Sequence, residues 1–280
     1  MSVRMIGATY RYAGATAPAL SEVALSLMPG EVLGVVGPNE SGKSTLCLVA
    51  AGLAPASIGG QLQGSVAIDG AETAALKPYE LAQRCGILFQ NALTQLSGTS
   101  RSVWEEVAFG PRNLGLSLPD VVASVESALA SLGIEALAPR DPNRLSGGQA
   151  QLVALASVVA LQPGYLILDE PTSQLDPQGT RLVGEALARL AQESGTGILI
   201  VEHKTDLLAR MAGRIVVLDA GRVARTGPAA EVLADPTIHE LGVEPPSLVS
   251  LARAITAAGQ SIDPELLRAE TWATRATAPA

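Results

Sequence analysis

The sequence predicts an α/β fold whose sheet carries a phosphate-binding loop, and three observations support that class. In residues 31–45, EVLGVVGPNESGKST, the apolar run Val32 to Val36 reads as a buried strand. The loop after it satisfies G-x-x-x-x-G-K-[ST] with Gly37, Gly42, Lys43 and Ser44. Two further apolar runs, Tyr165 to Leu168 and Gly197 to Val201, pass directly into the pairs Asp169-Glu170 and Glu202-His203. Between residues 91 and 142 the pattern turns helical, as expected of an insertion in an α/β domain.

The loop residue types are those that phosphate chemistry needs. Glycines let backbone N–H groups close on an anion, and the following helix points its positive end at it. Lys43 is expected to reach the β- and γ-phosphates and the Ser44 hydroxyl to ligate Mg²⁺. Pro38, Asn39, Ser41 and Thr45 complete the cradle. Glu40 is the odd member, because two like charges ~4 Å apart at an effective dielectric of ~20 repel by about 4 kcal/mol. Its carboxylate is therefore expected to face solvent.

Composition bounds the rest. The 280 residues allow one large or two modest domains, with a core of Ala, Val, Leu and Ile, since aromatics are only 3%. The formal charge of −8 argues against a broad nucleic-acid-binding face. Cys47 and Cys85 read as reduced core residues. The start MSVRMIGATY lacks the apolar stretch of a signal peptide. The charge-free stretches 44–68 and 145–168 are broken by Pro55 and Gly59-Gly60, and by Ser146 to Gln149 and Pro163-Gly164, so neither reads as a membrane span.

Along the chain, residues 3–12 and 19–28 read as antiparallel strands leading through Pro29-Gly30 to the Val32 strand. Such a platform suits an aromatic that stacks on a base, with Tyr12 the first candidate and Tyr10 the second. Thr45 to Leu53 reads as the helix after the loop, GSVAIDG as a short strand with an Asp-Gly turn, and RCGILFQ as a strand finishing on Gln90. Helices follow, punctuated by Gly110-Pro111, Gly115 and Gly133. Ser146 is a natural N-cap for a helix through Ala160, which with Gly147, Gly148 and Gln149 makes a second anion-binding terminus.

Asp169 and Glu170, adjacent at a strand end, suit one carboxylate on Mg²⁺ and one on an attacking water. A helix follows Ser173-Gln174-Leu175-Asp176 and runs to about Gln192. His203, at the carboxyl end of a further parallel strand, is placed to meet a γ-phosphate. Residues 213–227 read as a hairpin turning at Asp219-Ala220-Gly221. Beyond Pro228 come a short helix, a Pro-rich linker and an amphipathic helix, Leu248 to Ala258. Its apolar positions Leu248, Leu251 and Ile255, with Leu267, suggest packing or association, and His239 reads as surface.

Taken together, GPNESGKST, Gln90 after a strand, LSGGQ at 145–149, YLILDEP at 165–171, SQLD and His203 resemble the ATP-binding cassette (ABC) ATPases in order and spacing. The resemblance covers roughly residues 3–228. LFQNALTQLS, EEVAFGPRNLGL, VEHKTDLL and LGVEPPSLVSLARAITAAG resemble the ATPase subunits of energy-coupling factor (ECF) importers for vitamins and metal ions.

The resemblance implies a P-loop NTPase fold of the ABC ATPase type. Residues 1–228 would hold an antiparallel β subdomain, a RecA-like core and a helical subdomain at about 91–160, and residues 229–280 a C-terminal helical extension. It also implies ATP and Mg²⁺ as cofactors, and a head-to-tail dimer in which the Gly37–Thr45 loop of one subunit and Ser146–Gln149 of the other sandwich one ATP. Lys43, Ser44 and Thr45 would hold phosphates and Mg²⁺, with Asp169 supporting the metal. Glu170 would polarise water, His203 sense the γ-phosphate, and Gln90 link metal and water to the membrane partner. Tyr12 would stack on adenine and Asp176 cross the interface.

The implied partners are a second ATPase subunit, a transmembrane coupling subunit and a substrate-binding membrane subunit, at the cytoplasmic face of the membrane. Nucleic acid is not expected. Glu40, Leu152 and Ser173-Gln174 depart from the family pattern, and none removes a catalytic group. The rival classes are a soluble ABC ATPase acting on nucleic acid or protein assemblies, and a nucleotide-binding regulatory subunit. The first would carry coiled coils, paired cassettes or zinc-binding cysteines, which this chain lacks; intact Glu170 and His203 weigh against the second.

Overall fold

The computed structural model describes residues 1–91 and 94–258. Leu267 lies outside them, as do two residues of the segment that follows Gln90. Strands β1 (Val3–Arg11), β2 (Leu20–Leu27), β4 (Gln61–Ile68) and β5 (Ala71–Glu72) form an antiparallel sheet in the order β2-β1-β4-β5. A second sheet holds β3 (Val32–Val36), β6 (Cys85–Leu88), β7 (Tyr165–Asp169), β8 (Gly197–Val201), β9 (Arg214–Asp219) and β10 (Arg222–Pro228), in the order β10-β9-β3-β8-β7-β6. Its pairings are parallel except for the β9–β10 hairpin.

The central strands are continuous apolar runs because both of their faces are covered. Alternate side chains go to two separate cores. Val32, Val36, Leu166, Leu168, Ile198 and Ile200 face the helical side, whereas Leu33, Val35, Tyr165, Ile167, Leu199 and Val201 face helix α1 (Lys43–Ala50) and the antiparallel sheet. That strict period of two locks the register, since a one-residue slip would exchange the two sets. Cys47 and Cys85 are buried free thiols of the second core, and burial pushes both thiols up, that of Cys85 to about 12, which disfavours the nucleophilic thiolate.

Helix α2 (Pro78–Arg84), which the sequence analysis did not anticipate, starts with Pro78 at its first position and precedes β6. Helices α3 (Val103–Asn113) and α4 (Leu118–Leu132) begin on the caps Ser102 and Ser117, and α4 ends on left-handed Gly133. Pro111, expected as a break with Gly110, instead lies inside the last turn of α3. Helix α5 (Gly147–Val159) packs its buried face, Leu152 included, into the helical-side core. The remaining helices are α6 (Pro177–Glu193), α7 (Thr205–Met211), α8 (Ala229–Leu233) and α9 (Ser247–Ala257). Among the described residues no helix is long and apolar enough to cross a membrane.

The C-terminal segment is tied to the centre of the molecule. Ile238 and Val243 enter the helical-side core, the Thr205 hydroxyl donates to Glu244 O at 2.8 Å, and Ser247 N and Oγ donate to Asp206 at 2.9 and 2.6 Å. Helix α9 packs through Val249 and Ala252, whereas Leu248 and Leu251 are exposed. His239 is exposed. Gly242 lies against Pro38 of the phosphate loop with φ +67, and a Cβ there would sit 3.0 Å from the Pro38 ring. Gly242→Ala combines left-handed strain with that crowding, so a loss of about 1–2 kcal/mol is expected, seen as a lower urea midpoint at unchanged slope.

Candidate functional site

Four loops leave the carboxyl ends of parallel strands along one edge of the second sheet. The phosphate loop follows β3, Glu202-His203 follows β8, Asp169-Glu170 closes β7, and Gln90 lies two residues past β6. The loop is held tightly from behind. A Cβ at Gly37, whose φ is +152, would lie 2.0 Å from Leu218 O, and Gly221 N donates to Ser41 O at 2.9 Å. Only glycine allows the backbone to pass that closely.

Around this edge a cleft of about 420 Å³ is lined by Asn39, Glu40, Gly42, Lys43, Ser44, Thr45 and Glu170, with Pro18, Ala19 and the Ala220-Gly221 turn. Lys43 is buried and donates through Nζ to Gly37 O at 3.0 Å and Pro38 O at 2.6 Å. Desolvation lowers its pKa, opposed by the nearby Glu170 and Asp169 carboxylates. Glu40 is exposed, as expected, and its φ of +63 belongs to the left-handed region. It also lines the cleft rim, so it faces solvent without leaving the site.

Glu170 stands between two side chains from neighbouring strands. Gln90 Nε2 donates to Oε2 at 2.6 Å, and His203 Nε2 lies 3.0 Å from Oε1. The Glu170 backbone is left-handed, with φ +49. That conformation costs on the order of 1–3 kcal/mol in a non-glycine residue and persists only where surroundings over-determine it. Gln90 is steered in turn by Gln95, which accepts from Phe89 N at 3.1 Å and donates to Ile87 O at 2.7 Å.

Asp169 is buried, and burial raises its carboxyl above the ordinary range, with Glu170 adding to the rise and a hydrogen bond from Ser44 opposing it. Its Oδ1 is buried without a protein partner. A buried orphan oxygen beside a hydroxyl suits a hard cation. Among the described residues no three His, Cys, Asp or Glu side chains gather to hold a metal. A cation here would therefore depend on Asp169, Ser44, water and phosphate oxygens, the mixed coordination that Mg²⁺ prefers.

Tyr12 lies just past β1, half-buried, with its hydroxyl 3.1 Å from Thr45 Oγ1 and its ring edge-on to Tyr10 at 4.9 Å. Tyr10 is fully buried and donates to Gly59 O at 2.6 Å, so it belongs to the core. Ser146 caps α5 in a reciprocal capping box with Gln149. Ser146 and Gly147 are exposed, Gly148 packs against Gly179, and none of the four residues 146–149 lines the phosphate-loop cleft. Asp176 is exposed and caps α6, accepting from Gly179 N at 2.6 Å.

Glu202, Lys204 and Gln95 take parts that the sequence pattern does not assign. Lys204 Nζ donates to Thr172 O at 2.8 Å and Thr180 Oγ1 at 2.7 Å, tying the loop after Glu170 to the strand end that carries His203. The one available signal was a charged residue directly after an apolar strand. A second concavity, of about 390 Å³, opens at the opposite end of the sheet around Tyr165 and Asp69 and contains none of the site residues.

A sequence profile of the ABC transporter family matches residues 20–173, more than half of the 280-residue chain. The chain belongs to the ABC transporter family. A putative ABC transporter ATP-binding protein of Pyrococcus abyssi is 40% identical over 244 residues, covering 87% of this chain and 86% of that protein. The energy-coupling factor transporter ATP-binding protein EcfA of Methanosarcina acetivorans is 38% identical over 261 residues, covering 93% and 92%. Another ABC transporter relative from Methanosarcina acetivorans is 40% identical over 253 residues, and the match covers only 41% of its length.

Among solved structures, cbiO1 of Clostridium perfringens, described as part of the ABC transporter complex cbiONQ, superposes with a TM-score of 0.75 at 31% identity over 90% of this chain and 98% of its own. The ATP-binding cassette MJ0796, solved as a dimer in a post-hydrolysis state with ADP and Pi, gives 0.68 at 28% identity over 82% and 99%. The fold is that of an ABC ATPase cassette, and the chain is an ATP-binding ATPase of the ECF-like branch.

The raised carboxyl of Asp169 gives a pH test. A raised folded-state pKa means that ionising Asp169 costs stability, a cost present above its folded pKa and gone below the unfolded value of 3.8. Nucleotide-free Asp169→Asn is expected to melt above wild type at pH 7, with the gap narrowing as pH falls. Saturating Mg-ATP should reverse the order if the Asp169 carboxylate holds the metal. Differential scanning calorimetry across pH checks both.

Proposed function

We propose that this chain is the ATP-hydrolysing subunit of an ECF-type importer, taking up a small molecule or metal ion through separate membrane subunits. The observation that carries the reading is the clasped carboxylate, Glu170 held between Gln90 and His203 at the mouth of a phosphate-loop cleft. A carboxylate fixed there can orient a water toward a γ-phosphate, and phosphoryl transfer asks little more of a protein than positioning and charge.

On this reading Gly37 to Thr45 wrap the triphosphate, and Lys43 leaves the Gly37 and Pro38 carbonyls for the β- and γ-oxygens. Ser44, Asp169 and Gln90 would hold a Mg²⁺ ion, which would supply charge neutralisation to the phosphates. Glu170 accepts the water's proton, His203 meets the γ-phosphate, and Tyr12 stacks on the base. The Ser146–Gln149 terminus, exposed at Ser146 and Gly147 and absent from the lining of its own cleft, serves a second ATPase subunit packed head to tail. Asp176, already the cap of α6, would reach that interface. The dimeric state of MJ0796 and the complex membership of cbiO1 support this arrangement. Closure of the dimer would move helices of a transmembrane scaffold at the inner membrane face.

Glu170→Gln keeps the Gln90 contact geometry and removes the base, so ATP turnover is expected to fall by about 10²–10⁴-fold. With Mg-ATP the variant should accumulate as a nucleotide-bound dimer on size exclusion with light scattering. Affinity purification of the full chain from detergent-solubilised membranes should bring down multi-span proteins. Wild-type turnover in the variant would remove Glu170 from its role, and recovery of nucleic acid in place of membrane proteins would overturn the transport reading.

A further inference from the structure

We infer that Glu202 is a positioning residue for hydrolysis: it grips Thr172 and the His203 backbone together, and so holds Glu170 in its left-handed conformation facing both clasping side chains. This rests on the role proposed for Glu170. Glu202 is 1% exposed and is not among the residues that line the cleft. Its Oε1 accepts from Thr172 N at 3.0 Å and Thr172 Oγ1 at 2.5 Å, and its Oε2 accepts from His203 N at 3.1 Å and Lys204 N at 3.3 Å. Four donors converge on a side chain whose two oxygens only accept, the match that a buried carboxylate requires.

The consequence for Glu170 is geometric. The residue precedes Pro171, which by itself favours extended backbone at the position before it, yet its φ is +49. Something must hold the turn, and both of its ends are fastened. Glu170 N donates to Val201 O at 3.0 Å on one side, and fully buried Thr172 is fixed by Glu202 on the other. Lys204 adds a third tie through Thr172 O. Because Glu202 also accepts from His203 N, one side chain sets the spacing between the carboxylate and its imidazole neighbour.

Three variants test this in steady-state ATP hydrolysis. Glu202→Gln replaces one accepting oxygen with a donor that faces other donors; Thr172→Val exchanges the hydroxyl for a methyl group, and Thr172→Ser keeps the hydroxyl while losing the methyl. The expected result is a kcat at least tenfold lower for Glu202→Gln and severalfold lower for Thr172→Val, with KM for ATP within threefold of wild type and Thr172→Ser close to wild type. A general packing defect would not spare KM or be rescued by serine. Should Glu202→Gln fail to fold, the Thr172 pair decides. Kcat within twofold of wild type, or a loss carried by KM, overturns the inference. Glu170→Gln run in parallel separates the two claims, since its inactivity beside an active Glu202→Gln would leave the role of Glu170 standing and remove only that of Glu202.

Discussion

Parallel pairing of β3, β8, β7 and β6 is the constraint on which the site depends. In such a sheet every strand delivers its following residues to the same edge, and neighbouring strands lie about 4.8 Å apart. Because β7 runs between β8 and β6, the residue after it can be reached from both sides. Glu170 is that residue, and the side chains that reach it, His203 and Gln90, come from the strands on either side. The phosphate loop, one strand beyond β8, opens onto the same edge. Register is what fixes this order, and the alternation of strand side chains between two cores is what fixes the register.

The same edge concentrates unfavourable terms. Lys43 and Asp169 are both desolvated, each shifted toward its neutral form by burial, and Glu170 carries a left-handed backbone. Sites that bind and turn over ligand commonly carry such costs, which the rest of the structure offsets. Here the offset comes from well-packed strands and from polar ties behind the reacting groups: Gln95 behind Gln90, Glu202 and Lys204 behind Glu170 and His203. The charged groups at the edge are thus held in place before any ligand supplies compensating charge.

Legibility in the sequence followed the range of the interactions. The phosphate loop, the N-cap at Ser146 and the hairpin at Ala220-Gly221 rest on residues a few positions apart, so their spacing alone carries them. Asp169, Glu170 and His203 could be placed because an apolar run ending in a titratable pair marks a strand end. Glu202, Thr172 and Gly242 were not legible in that way. Glu202 and Thr172 are 30 positions apart, and Gly242 meets Pro38 across most of the chain. Nothing local distinguishes a buried carboxylate from an exposed one when both follow a strand. Pro111 differs for another reason: propensity marks it as a helix breaker, yet α3 continues through it to Asn113, so the helix tolerates the N–H that proline lacks. The outward turn of Leu248 and Leu251 shows that an amphipathic pattern alone does not say which face packs when small residues such as Ala252 fill the contact.

The charge around the cleft bears on why one subunit would not suffice. Glu40 and Glu170 line it, Asp169 lies just behind, and Lys43 is the ammonium among them. Three carboxylates against one ammonium give an unfavourable field for a triphosphate, and what remains in favour is the α1 terminus with its convergent N–H groups, together with a bound cation. On the reading proposed above, the missing positive potential is the α5 terminus of a second subunit. Ser146 leaves that terminus exposed on the protein surface, with its cap satisfied within the chain. Attraction of that terminus to phosphate grows as water leaves the gap, because the effective dielectric falls. Nucleotide would then be held weakly by one cassette and firmly by two, and the γ-phosphate, the group lost on hydrolysis, would be the one whose charge draws the subunits together.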